Sequence, residues 1–169
     1  DFEEIGSPAP PGSYRDRGFN PETYWRRAHL FPNGDILALF PDLALVRLDL
    51  DSRIIWSRTG RFHHDFYINP DGTIYTLTNS HLEEDGRLKL TGPVTDNRIA
   101  LLSPRGEEIS SFSLIDAFLK SDYALLLVDS MRKEGDVLHA NTIEVVTADF
   151  GGDSPLKRGL ILVSIREIE

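Results

Sequence analysis

Two segments, Phe31-Pro32-Asn33-Gly34-Asp35-Ile36 and Asn69-Pro70-Asp71-Gly72-Thr73-Ile74, match at an offset of 38 residues. Each centres on a Pro-Asn-Gly or Pro-Asp-Gly turn. Proline presets the first turn residue, and glycine supplies the left-handed residue that closes a hairpin. Each turn stands between short runs of apolar and β-branched residues. A period near 40 residues carrying four short strands is the signature of propeller blades.

The runs around these turns fill in the pattern. Ala28 to Phe31, Asp35 to Phe40, Ala44 to Leu50 and Ile54-Ile55-Trp56 read as four strands of an antiparallel meander. The unit begins again with Asp65 to Asn69 and Thr73 to Thr78. Asn97 to Leu102 and Glu107 to Phe112 complete it, joined by the turn Ser103-Pro104-Arg105-Gly106. Leu114, Ile115, Phe118 and Leu119 then suit one face of a helix. That predicts a helical insertion over about Ser113 to Ser121, extending toward Met131. Strands return with Val137 to Val146 and Leu160 to Ile168, separated by a loop from Ala148 to Arg158. The expectation is an all-β protein of antiparallel four-stranded β-propeller blades with one helical insertion near 113–131. An extended Pro- and Gly-rich lead-in covers 1–22, and a partial propeller of about three blades covers 23–169.

Net charge bounds the partners. The chain of 169 residues carries a formal charge of -9, which argues against nucleic acid, since phosphate contacts need a basic face. It argues equally against an anionic membrane surface. No apolar run approaches the roughly 20 residues of a membrane span, and no targeting segment is visible. The absence of cysteine excludes disulfides and thiolate chemistry. The start at Asp1 and the end just after a strand pattern read as a piece of a longer protein. An open arc of blades exposes strand edges. The chain is therefore expected to need its remaining blades or to self-associate.

Three clusters carry residues suited to chemistry: Phe62-His63-His64-Asp65, Asp136-Val137-Leu138-His139-Ala140-Asn141 and Ser164-Ile165-Arg166-Glu167. Histidine serves as nucleophile or general base near neutral pH, and Asn and Arg hold the oxygens of an anion. His63 and His64 are adjacent on a strand, so one is expected to face a central funnel and the other to pack elsewhere. His64 is favoured for the funnel. His139 and Asn141, at i and i+2, are expected to share a face. Arg166 lies in an apolar run and needs a partner. That partner is an anion, or an ion pair with Asp136 or Glu144. Structural roles compete at each position, hydrogen bonding within the blade foremost.

Lesser candidates divide the same way. Asp65 can orient a histidine or cap a strand edge. His29 and His81 read as surface or packing residues, and Trp25 and Trp56 as inter-blade packing. Arg61 is a candidate for the funnel mouth, and Glu83-Glu84-Asp85-Gly86 for a solvated hairpin tip. A metal held by His64, Asp65 and His139 is a rival reading, without local spacing such as His-Glu-x-x-His. The expectation is no metal and no cofactor.

His-His-Asp before a Pro-Asp-Gly turn, then Asp-x-Leu-His-Ala-Asn-Thr-Ile and Leu-Val-Ser-Ile-Arg-Glu-Ile, resembles the arylsulfotransferase family of bacterial β-propellers over roughly Trp25 to Glu169. The resemblance implies a six-bladed ring, a periplasmic or extracellular location, and ping-pong transfer of a sulfuryl group. The donor would be an aryl sulfate, the acceptor a phenol, and the intermediate a sulfated histidine. It implies catalytic roles for His64, His139 and Arg166, and substrate binding by His63 and Asn141. His64 (or His63) resembles the first funnel histidine, His139 the second, Asn141 its neighbour, and Arg166 the clamp on the sulfuryl oxygens. The nucleophilic histidine of the family falls beyond Glu169. The alternative is a non-catalytic propeller serving as a binding or interaction scaffold.

Overall fold

One turn chemistry is used four times. In the computed structural model, which describes residues 24–82, 88, 92–130 and 134–167, the amide of Phe31 donates to Asp35 O and that of Gly34 to Phe31 O. The same pair of bonds recurs at Asn69–Thr73, Ser103–Glu107 and Asp49–Arg53. The fourth residue of each turn is left-handed: Gly34 at φ 88°, Gly72 at 84°, Gly106 at 80° and Ser52 at 63°. This is a three-residue hairpin loop closed by a left-handed residue. The 38-residue match was two members of this set.

These hairpins fold the chain into antiparallel blades. β1 (Arg27–Leu30), β2 (Ile36–Phe40), β3 (Ala44–Leu48) and β4 (Ile54–Thr59) form a four-stranded sheet in chain order. β5 (Phe62–Ile68), β6 (Ile74–Leu82), β7 (Val94–Leu102) and β8 (Glu108–Ser113) form the second. Two short helices come next, α1 (Leu114–Leu119) and α2 (Ala124–Ser130). β9 (Gly135–Asp136) then pairs in parallel with the start of β7, and β10 (Ala140–Val145) pairs antiparallel with β11 (Ile161–Ile165). The first strand of each unit lies beside the first strand of the next, β1 against β5 and β5 against β10. The fold is all-β and propeller-like, with a helical insertion. The lead-in over 1–22, the tip at 83–86 and Ile168 lie outside the described residues.

The insertion departs from one continuous helix. Ser113 caps α1 by accepting from the Asp116 amide at 3.0 Å, and Leu114 and Ile115 bury its inner face. Ser121 then takes over: its hydroxyl donates to Phe118 O at 2.7 Å and accepts from the Tyr123 amide at 3.1 Å. Such side-chain bonds offer the backbone an alternative to continuing the helix.

Apolar burial fills the spaces between sheets. Leu37, Leu39 and Leu45 of the first blade pack against Phe62, Phe66, Ile74, Ala100 and Leu102 of the second. Leu77, Val94 and Ile99 pack against Leu114, Ile115, Val137, Leu138, Ala140 and Ile143. Trp56 seats on the Ser103–Glu107 turn of the next blade, donating from Nε1 to Pro104 O at 3.1 Å, as inter-blade packing requires. Trp25 stands edge-on to Phe40 of its own blade at 6.1 Å. Arg58 pairs with Glu108 at 2.8 Å across the same junction as Trp56.

A Cβ at Gly106 would come within 2.7 Å of the Trp56 ring, on a backbone already left-handed. Gly106→Ala is expected to cost about 1–3 kcal/mol, read as a lower urea midpoint at unchanged m-value. An unchanged midpoint would mean that Trp56 does not seat on this turn.

Candidate functional site

The histidines sit where the first strands of the second and third units break regular pairing. On β5, Phe62 pairs with Thr78 and Phe66 with Thr76, so three residues, His63 to Asp65, oppose Leu77 alone. His64 takes up the slack at φ 55°. Just before β10, His139 adopts φ 52°. Left-handed backbone costs a residue with a Cβ about 1–2 kcal/mol, and both sites spend it at matching places in consecutive units.

This bulge overturns the expectation that His63 and His64 point to opposite faces. Period-two alternation holds only for regular strand. The two Nδ1 atoms instead lie 2.9 Å apart, and His63 Nε2 lies 3.1 Å from Thr78 O. His63 is buried, and His64 is half-buried. The rings of His64 and His139 meet edge to face with centroids 5.1 Å apart. The structure therefore brings His63, His64 and His139 together, with His63 behind His64.

His139 is held by Asp136. Its Nδ1 lies 2.9 Å from Asp136 Oδ2, and its backbone amide donates to Asp136 Oδ1 at 3.0 Å. Asn97 Nδ2 donates to the same Oδ1 at 2.9 Å, while Asn97 Oδ1 accepts from the Ala140 amide at 2.7 Å. The face shared by His139 and Asn141 does not follow from alternation: His139 precedes the strand, and the β10–β11 register shifts between Ala140 and Thr142, at Asn141.

Arg166 lies just past β11, with its side chain 58% exposed. It is not an arginine in a buried strand, and its ion pair is with Glu167 at 2.6 Å instead of Asp136 or Glu144. Its Nη2 stands 3.4 Å from His139 Nδ1, and its backbone amide donates to His139 O. Of the two readings of Asp65, orienting a histidine or serving as a structural carboxylate, the contacts match the second. Asp65 is a buried strap, receiving the amides of Phe66 and Ile143 and pairing with Arg27 at 3.0 Å. It thereby ties together all three units. His29 and His81 are exposed, and His29 stands edge-on to Phe31 at 4.8 Å.

Burial pushes the His64 pKa from 6.5 down to about 3, helped by His63, His139 and the Arg26 and Arg166 charges. Burial also lowers that of His63, against the opposing effect of its bond to Thr78 O. Both rings are neutral at physiological pH. Arg26 is the residue that sequence reasoning missed, although the 38-residue offset that aligns the turns also aligns Arg26 with His64. Asp136, expected as a partner for Arg166, holds His139 instead. Among the described residues no group of three His, Asp or Glu side chains is arranged to hold a metal ion.

A scan against known protein families finds no match for the chain. A search of curated proteins likewise finds none.

Lowered histidine pKa values mean that the native state binds fewer protons than the unfolded chain between about 3 and 6.5. Stability contributed this way rises with pH across that window and is lost on acidification. The melting temperature should fall as pH is lowered from neutrality toward 4, and fall less steeply in His64→Gln. Parallel declines in the two proteins would show that His64 is not desolvated.

Proposed function

We propose that this chain forms part of a sulfuryl-transfer site that moves the group from an aryl sulfate to a phenol. The observation that carries the proposal is the meeting of two imidazoles, His64 and His139, within reach of the Arg26 and Arg166 charges. Sulfuryl transfer, like phosphoryl transfer, places negative charge on peripheral oxygens. It is promoted mainly by positioning and by fixed positive charge.

In this reading a histidine outside these 169 residues attacks sulfur. The donor's S–O bond breaks, and the leaving phenolate takes the proton that His139 carries on Nε2 as an imidazolium, which restores the neutral ring for the second half-reaction. The acceptor phenol then gives up its proton, its oxygen bonds to sulfur, and the N–S bond breaks. His139, backed by Asp136, is the acid and then the base for these proton movements, and the neutral His64 accepts a hydrogen bond beside it. Arg166 binds the sulfuryl oxygens by exchanging part of its contact with Glu167 for the anion. His63 supports His64 from behind, and Asn141 lies beside the site on β10.

A non-catalytic scaffold is the second reading, and the Arg166–Glu167 pair favours it by already satisfying the guanidinium. The two separate in an assay of the intact protein with an aryl sulfate that releases a coloured phenol, and phenol as acceptor. His139→Ala and Arg166→Ala should each lower turnover at least about 100-fold. Folded wild-type protein without turnover would leave the scaffold reading standing.

A further inference from the structure

We infer that Asp136 and His63 are positioning residues, each fixing one histidine of the pair in the Nδ1–H tautomer so that Nε2 is the lone-pair atom of both His64 and His139. The consequence for catalysis rests on the sulfuryl-transfer reading. The tautomers themselves do not.

The polarity of each hydrogen-bond chain is set by a group that can play only one role. Thr78 O is a carbonyl and only accepts, so His63 Nε2, at 3.1 Å, carries its proton. His63 Nδ1 of the neutral ring is then an acceptor. The His64 Nδ1 2.9 Å away must donate to it, which leaves the His64 lone pair on Nε2. On the other side, the Ala140 amide only donates. It fixes Asn97 Oδ1 as an acceptor and Asn97 Nδ2 as the donor to Asp136 Oδ1. The remaining oxygen, Oδ2, accepts from His139 Nδ1 at 2.9 Å, leaving the His139 lone pair on Nε2. Arg166 Nη2, at 3.4 Å from that Nδ1, is a second donor facing a donor. Its stronger contact is with Glu167 at 2.6 Å.

Two separate chains thus impose the same tautomer on the two rings that meet. A histidine holding its proton on Nε2 would present a donor there, unable to take a proton from a phenol. The partner of a catalytic imidazole decides which nitrogen does the work.

Nitrogen-15 to carbon-bound-proton correlation spectra of the intact protein read the tautomers directly. His64 and His139 should show protonated Nδ1 and bare Nε2, and His63 the reverse. In Asp136→Asn the carbonyl oxygen keeps the bonds from Asn97 and the His139 amide. The new NH₂ replaces Oδ2 and donates to His139 Nδ1. His139 should therefore flip to the Nε2–H tautomer while His64 is unchanged. Aryl sulfate turnover should fall roughly 10³-fold with KM changed only a few-fold. A protonated Nε2 on His139 in the wild type overturns the role of Asp136, and one on His64 overturns that of His63. The wild-type spectrum decides this even if the variant fails to fold. The expected tautomers in a protein that does not turn over aryl sulfates would uphold the positioning and remove the sulfuryl-transfer reading.

Discussion

The Asn97 side-chain amide couples the second blade to the third unit. From the middle of β7 it takes the Ala140 amide on one side and gives a proton to Asp136 on the other. Both contacts lie in partly or fully buried surroundings, where an unpaired amide would cost about 1–3 kcal/mol. The start of β10 and the carboxylate that holds His139 are both tied to this one side chain, beside the backbone pairing of β7 with β9. Remove it and the Ala140 amide loses this acceptor, while Asp136 Oδ1 is left with the His139 amide. Its position, fixed by two partners on opposite sides, is better defined than that of a surface pair.

Around that joint the chain tolerates strain. His64 and His139 are both left-handed without being glycine, and His63 is a buried polar ring. Each feature opposes stability, and each is offset by specific bonds: Thr78 O for His63, Asp136 for His139, and the His63 ring for His64. The Asp65 strap adds the amide of Ile143 and the Arg27 guanidinium to the same region. A fold seeking stability alone would continue β5 as regular strand. The two extra residues at His63–Asp65 lift an imidazole out of the pleat toward the next unit, and such a bulge re-aims a side chain at the cost of ladder bonds.

The repeat of turns was legible because it is local. Pro-Asn-Gly and Pro-Asp-Gly fix their own backbone, and the apolar runs beside them report burial on a two-residue period. The strands fall in order between them, and the helix face Leu114, Ile115, Phe118 was visible for the same reason. The bulge was not legible, because nothing in Phe62-His63-His64-Asp65 tells of the Thr78 carbonyl or of Asn97 across the junction. Alternation therefore sent His63 and His64 to opposite faces, and the carboxylate that holds His139 is Asp136, which the sequence offered only as a partner for Arg166. His64, His139 and Arg166 were singled out by residue type, and the structure brings them near one another. Arg26 was hidden, since the repeat was aligned only through its turns and not one strand further back.

The balance of charge at Arg166 decides what the geometry is worth. The guanidinium is exposed and holds the better-buried Glu167, whose side chain is 11% exposed. The pair is half-buried, not a surface pair, so an anion arriving at Arg166 competes with a well-shielded carboxylate for the guanidinium. On the proposed sulfuryl-transfer reading, Arg166 shares its donors between the anion and Glu167, whose amide keeps its bond to Leu138 O. The imidazoles cannot reorganise as cheaply, since their ring nitrogens are committed to Thr78, His63 and Asp136. The site thus joins a rigid acceptor half to an adjustable cationic half. On that reading the division suits a transferred anion, whose charge shifts between oxygens while the proton leaves along one fixed line.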